Sequence, residues 1–268
     1  MVTVDAHPIS VHANGMQALL KNTIGYYNTA TGSDALFHNT TAINNTAIGR
    51  GALFNTTTGN NNTGLGYGAG QTYVNGANNV FVGANSDVNA NDYYNVIAIG
   101  ESTTVTGVST ARLGNTATVS TGGWTNWSNV SDGRYKQNVK EDVQGLAFIM
   151  KLRPVTYQLM ASALSEKLNE RRGEPMNAQM KLALTEKEKV TYTGFIAQEV
   201  EKAAKELDYD FSGVETPKDE NDFYALRYAE FVVPLVKAVQ EQQIIIEEQN
   251  QKIEFLLQEI QLIKNRLP

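Results

Sequence analysis

The sequence predicts a mixed fold: an N-terminal parallel β-roll or β-helix of about six 17-residue coils, then an α+β domain running into a long C-terminal coiled-coil helix. Three observations predict it. Glycines recur every seventeen residues, at Gly15, Gly32, Gly49, Gly66, Gly83 and Gly100. Of 22 basic and 28 acidic side chains, only eight fall within residues 1–130, so the composition breaks near residue 130. The last forty residues place apolar side chains at alternating steps of three and four. Domains are therefore expected at 1–130, 131–228 and 229–268.

The repeat comes first. "NTATG" ends at Gly32, "NTAIG" at Gly49, "NTGLG" at Gly66, "NVFVG" at Gly83 and "VIAIG" at Gly100. One short strand and two turns take about this many residues, and stacked coils pair each strand with its copy at about 4.8 Å. The glycine supplies a turn of positive φ, and asparagines at equivalent turns can form ladders between coils. Ile48, Leu65, Val82 and Ile99, each just before a glycine, are expected to point into a thin core. A rod this thin buries little apolar surface and needs neighbours. An Asn/Thr-rich linker would share the composition but not the register of the apolar residues. The coils resemble the heads of trimeric autotransporter adhesins and related bacterial and phage fibres, often built on a shorter repeat. That resemblance implies three chains packing side by side around one axis.

Composition removes several classes of function. With no cysteine there is neither a disulfide nor a thiolate metal site. A net charge of −6 does not suit nucleic acid. No apolar run approaches the roughly 20 residues of a membrane span, and "MVTVDAHPIS" lacks the pattern of a signal peptide. His7, His12 and His38 have no ligand spacing, so no metal and no cofactor are expected. The sequons at Asn39 and Asn55 follow from the repeat's own composition. A glycan-degrading enzyme has no support, because the repeat half offers no paired acids in a cleft.

In the second half, "RPVTYQL" (Arg153–Leu159) alternates like a strand. "YTGFIAQEVEKAAKEL" (Tyr192–Leu207) reads as a strand turning into a helix, and "DFYALRYAEFVVPLVKAVQEQ" (Asp222–Gln242) as a strand entering the long helix. Ser162–Lys189, which contains "RRGEP", is expected to be a charged excursion. In the final helix Val239, Ile246, Ile253, Ile260 and Leu267 fall at heptad position a, and Gln242, Gln249, Leu256 and Ile263 at d. Isoleucine at both positions favours trimers over dimers, and the glutamine layers fix register. The other reading is one amphipathic helix packed on its own domain.

Four motifs in order, "SDGRYKQNV", "LRPVTY", "GFIAQEVE" and "YAEFVVPLVKAVQEQ", resemble the endosialidase-type intramolecular chaperone family over residues 131–268. That family closes phage tail spikes and fibres. Its members trimerise, help the preceding fibre into register, and many then cut the bond before the motif serine. The resemblance places that serine at Ser131, the lysine at Lys136 and the scissile bond between Val130 and Ser131. Asp132 and Arg134, with Gly194, Gln198 and Glu199, match the motifs in support. Ser131 Oγ would attack the adjacent Val130 carbonyl while a neutral Lys136 takes its proton. By themselves the two residues read as a turn serine and a solvated lysine. Implied partners are two further copies of the chain, a larger fibre or baseplate, and a cell-surface receptor or glycan, on a virion, an injection system or a bacterial surface. Two outcomes stay open: a chaperone that cuts itself free, or a permanent trimer cap on a binding fibre.

Overall fold

The structure is a computed structural model describing residues 10–170, 175–220 and 222–266. Its contacts divide the chain into two units: Met1–Thr125 with Gln158–Tyr192 and Lys218–Phe223, and Asn126–Tyr157 with Thr193–Pro217 and Tyr224–Pro268.

A parallel β-solenoid of about six turns forms the body of the first unit. Its strands are β1 (Val11–Asn14), β2 (Asn28–Thr31), β3 (Thr46–Ile48), β4 (Thr63–Leu65), β5 (Val80–Val82), β6 (Asp87–Val88), β7 (Ile97–Ile99), β8 (Thr104–Val105) and β9 (Ala111–Leu113). Seven of them make one sheet in the order β1-β2-β3-β4-β5-β7-β9, and β6 pairs with β8 in a second. All these pairs are parallel, and Thr29 faces Thr46, Thr46 faces Thr63, Thr63 faces Val80 and Val80 faces Ile97, so the seventeen-residue step is the coil itself. Ile97 then pairs with Ala111, which shortens the last coil to fourteen residues.

Glycine is demanded twice over at its register. Gly49 sits at φ +132°, and a Cβ there would lie 2.4 Å from the carbonyl oxygen of Gly66 in the next coil. The positive φ was legible in the repeat; the close approach of the next coil was not.

The core differs from expectation in one respect. Ile48, Leu65 and Ile99 face outward, between 41 and 45 % exposed, and Val82 is only half-buried. The buried residue is the centre of each strand: Ala30, Ala47, Gly64, Phe81 and Ala98. Side chains alternate along a strand, so in a three-residue strand with an inward centre both flanks face out. Four of these centres are alanine or glycine because the opposite wall is close, and Phe81 fits because Gly70 lies across from it, where an added Cβ would come 2.7 Å from the ring. At Gly64 the space is taken by Leu53, whose Cγ would lie 2.9 Å from an added Cβ. The outward flanks are Thr29 and Thr31 in β2, Thr46 and Ile48 in β3, Thr63 and Leu65 in β4, Val80 and Val82 in β5, Ile97 and Ile99 in β7, and Ala111 and Leu113 in β9.

Between coils, a buried asparagine ladder runs beside an apolar column that includes Leu19, Leu36 and Leu53. The Oδ1 atoms of Asn28, Asn45, Asn62 and Asn79 each accept the backbone N–H seventeen residues on, at 2.8 to 3.0 Å. Their Nδ2 groups donate to the carbonyls of Ala42, Gly59, Gly76 and Tyr93. Each amide thus satisfies buried backbone that would otherwise be orphaned.

Beyond residue 130 come α1 (Leu146–Ile149), β10 (Val155–Gln158), α2 (Ala161–Lys167), α3 (Ala178–Glu188), β11 (Thr191–Gly194), α4 (Ala197–Lys205), β12 (Val214–Glu215), β13 (Ala225–Leu226) and α5 (Val232–Arg266). β10 pairs with β11, and β12 runs antiparallel to β13.

The charged stretch expected as an excursion is ordered where described: α2 and α3 pack together within the solenoid's unit. Four residues of its "RRGEP", 171–174, lie outside the described residues. Glu170 is buried there, and its carboxylate accepts from the Thr116 N–H at 3.0 Å, the Thr116 hydroxyl at 2.5 Å and the Ser165 hydroxyl at 2.8 Å. In the same unit Tyr93 donates to the Thr106 carbonyl and to Asp219. Burial, then the Asp219 carboxylate, pushes the Tyr93 phenol up to about 12.

The second unit closes on Phe148, Val200, Ala203, Ala204, Phe211 and Phe231. Phe211 lies 4.9 Å from Phe148 and 4.8 Å from Phe231, centroid to centroid. Glu241 of α5 accepts the Leu146 N–H at 2.7 Å and so caps α1. Pro234 sits in the first turn of α5, where a missing N–H costs nothing. After Ala238 no described residue of α5 is buried.

Candidate functional site

The segment before Ser131 is open: Trp124, Trp127 and Val130 are fully or almost fully exposed. A turn begins at Asp132. Its side chain caps a short 3₁₀ turn, Gly133–Tyr135, by accepting the Arg134 N–H at 2.9 Å. The Arg134 guanidinium returns to the same carboxylate, with Nη2 2.5 Å from Oδ2 and Nε about 3.0 Å from both oxygens. These hydrogen bonds hold the Asp132 carboxyl below its ordinary range and push the Arg134 guanidinium up.

The Lys136 N–H closes the turn on the Gly133 carbonyl at 3.2 Å. That folds the chain back on itself, and Lys136 Nζ comes to 2.8 Å from Ser131 Oγ. The amine and the hydroxyl are thus hydrogen-bonded across the turn, and the Val130 carbonyl is covalently adjacent to Ser131. Both side chains are exposed in the single chain.

The supporting motif residues gather elsewhere in this unit. Glu199 pairs with Arg153 through two contacts, at 2.5 Å and 3.0 Å, so "LRPVTY" and "GFIAQEVE" grip each other. That guanidinium holds the Glu199 carboxyl below its ordinary range. A Cβ on Gly194 would lie 2.2 Å from the Tyr228 hydroxyl, which instead accepts the Phe195 N–H at 3.2 Å. Gln198 is exposed on the first turn of α4. Arg153 and Tyr228 were not singled out in the sequence; the Arg–Glu pairing of two motifs was the signal that could have found Arg153.

Along α5 the expected seam is uncovered. Val239, Ile246, Ile253, Leu256, Ile260 and Ile263 are between 42 and 63 % exposed. Leu267 lies outside the described residues. No described helix is long and apolar enough to cross a membrane. Among the described residues no group of three His, Cys, Asp or Glu side chains could hold a metal ion.

Residues 131–209 match the family model described as chaperone of endosialidase. The match begins at the serine of the Ser131–Lys136 pair and ends before "YAEFVVPLVKAVQEQ" and the seam. No curated protein matches the chain significantly, and neither does any solved structure.

Proposed function

We propose, from the match of residues 131–209 to the chaperone-of-endosialidase model, that the chain is a trimeric fibre tip whose C-terminal part assembles the solenoid and then cuts itself free. The carrying observation is α5, whose heptad seam is isoleucine-rich and in which no described seam residue is buried. Three helices joined along it raise the effective concentration of the solenoids. Parallel coils gain their contacts only after costly loop closure, so registration is slow without such help.

Cleavage is the finer part of the reading, supported by the 2.8 Å contact between Lys136 and Ser131. Ser131 Oγ adds to the Val130 carbonyl carbon, and Lys136 takes the hydroxyl proton. The Val130–Ser131 C–N bond breaks, the nitrogen receives that proton from Lys136, and an ester links Val130 to Ser131 Oγ. Water hydrolyses the ester, leaving the Val130 carboxylate and a free Ser131. Such a protein belongs on a virion, an injection system or a bacterial surface, within a larger fibre or baseplate, and would meet a receptor or glycan there.

Mass measured natively and after denaturation tests both parts. The reading expects a trimer natively and, denatured, two pieces divided at Val130/Ser131, with one full-length band in Ser131→Ala. A monomer overturns the assembly. A trimer with a full-length wild-type chain overturns the cleavage and leaves a permanently capped binding fibre. A cleft of about 500 Å³ in the solenoid's unit, lined by Asn85, Glu101, Ser102, Asn115, Asn177 and Gln179 among others, favours that second reading with a hydroxyl-rich ligand.

A further inference from the structure

The cleft of about 500 Å³ has two walls, and they come from opposite sides of the Val130–Ser131 bond. The solenoid supplies Glu101, Ser102 and Asn115; α3 and its cap supply Asn177, Gln179 and Met180. Both walls lie within the first unit. They are pinned together beside the cleft itself. Thr116, the neighbour of Asn115, is held by the buried Glu170, and Lys187 of α3 donates to the Thr118 carbonyl at 2.5 Å. The space is therefore preformed, so a ligand entering it pays little for ordering the protein.

The lining is braced as well. Glu101 Oε1 accepts the Ser102 hydroxyl at 2.7 Å, and Oε2 accepts Asn115 Nδ2 at 3.1 Å. Asn115 Oδ1 is taken by the Ala117 N–H at 3.0 Å. Across the cleft, Asn177 Oδ1 accepts the Met180 N–H at 2.8 Å, which leaves its NH2 end for a ligand. Carboxylate and hydroxyl oxygens accept while amides both donate and accept, which matches a ligand rich in hydroxyl groups. Among the described lining residues Glu101 carries the only charge, and none is aromatic. An anionic ligand would meet that carboxylate without a compensating cation. A nucleobase would find no ring to stack on.

From this arrangement we infer that the cleft binds a short saccharide without acidic groups, and that the site is whole only while the pieces on either side of the Val130–Ser131 bond stay together. The inference rests on the capped-fibre reading, in which those pieces never part. Neither wall alone encloses a ligand: the solenoid wall ends at Thr118, and the facing wall begins at Asn177.

Ser131→Ala keeps the chain whole under either outcome of the cleavage test, so binding is measured on that full-length variant first. An array of neutral, amino and acidic glycans finds the binders, and calorimetry with the best of them gives the affinity. Binders are expected among the neutral and amino members only. Gln179→Ala and Glu101→Gln, one on each wall, are each expected to weaken binding about three- to tenfold, the loss of one hydrogen bond. Gln179 is exposed, so an unchanged melting midpoint shows that its removal spares the fold. Glu101→Gln is also expected to admit acidic members. An array without binders overturns the site, and binders confined to acidic glycans overturn the ligand class. Unchanged affinity in Gln179→Ala overturns the two-walled site. Wild-type chain that cuts and sheds its C-terminal piece overturns the capped fibre by mass alone; the shed solenoid is then expected to bind at least tenfold more weakly than Ser131→Ala, and equal binding overturns the inference.

Discussion

Replacing Asn62 with alanine tests what holds the coils together. Asn62 is fully buried. Its Oδ1 accepts from the Asn79 N–H at 3.0 Å and from the Tyr73 hydroxyl at 3.0 Å, and its Nδ2 donates to the Gly76 carbonyl at 3.2 Å and to Asn45 Oδ1 at 3.1 Å. Not all four losses are equal. Asn45 Oδ1 keeps the Asn62 N–H at 2.8 Å, and the Tyr73 hydroxyl has the Asn79 side chain nearby to turn to. The Asn79 N–H and the Gly76 carbonyl lose the amide partner that serves them. At about 1–3 kcal/mol for each buried group left unsatisfied, the expected loss is about 2–6 kcal/mol. A chain of this size loses about 2–4 °C in Tm per kcal/mol, so the midpoint should fall by roughly 10 °C. Asn61→Gly is the control. Asn61 is exposed at φ +58°, which glycine adopts freely, and its ladder bonds compete with water. That variant should stay within about 0.5 kcal/mol of wild type. Thermal unfolding followed by circular dichroism, at one protein concentration, reads both. Equal midpoints for the two variants would refute the view that the buried amides, rather than the small apolar core, secure each coil.

Three further outcomes follow from the geometry. Gly49→Ala should cost about 2–6 kcal/mol, from a strained φ and a collision with Gly66, whereas Gly51→Ala, at φ +65° with its nearest contact 3.9 Å away, should cost about 1–2 kcal/mol in the same melts. Tyr93 has a folded pKa of about 12 against about 10 unfolded, so its contribution is complete below pH 10 and is lost as pH rises towards 12; Tyr93→Phe should flatten the stability profile across that window in alkaline unfolding. Glu170→Ala leaves the Thr116 N–H without its carboxylate and should cost about 2–4 kcal/mol, with faster hydrogen exchange in α2 and α3 than in β3 or β4; uniform acceleration would contradict the local role given to Glu170.

The repeat alone determined that the first half coils, how long each coil is and where its glycine turns fall, because pairing a strand with its own copy requires a constant step. The heptad alone pointed to a long helix with an apolar row at its a positions. The motif order alone pointed to the chaperone family and located Ser131 and Lys136, since matching a pattern needs no coordinates. Which strand residue faces the core was decided only in three dimensions. Ala47 and Ile48 are neighbours in sequence, and the room across the coil puts the smaller one inside. The contact of Lys136 with Ser131 likewise depends on the turn that Asp132 and Arg134 build, and the grip of Arg153 on Glu199 spans 46 positions. Burial of Glu170 depends on Thr116, which is 54 residues away in sequence. Periodicity is local and survives in the string of letters; packing is set by residues distant in sequence meeting across a fixed space, and only the folded chain defines that space.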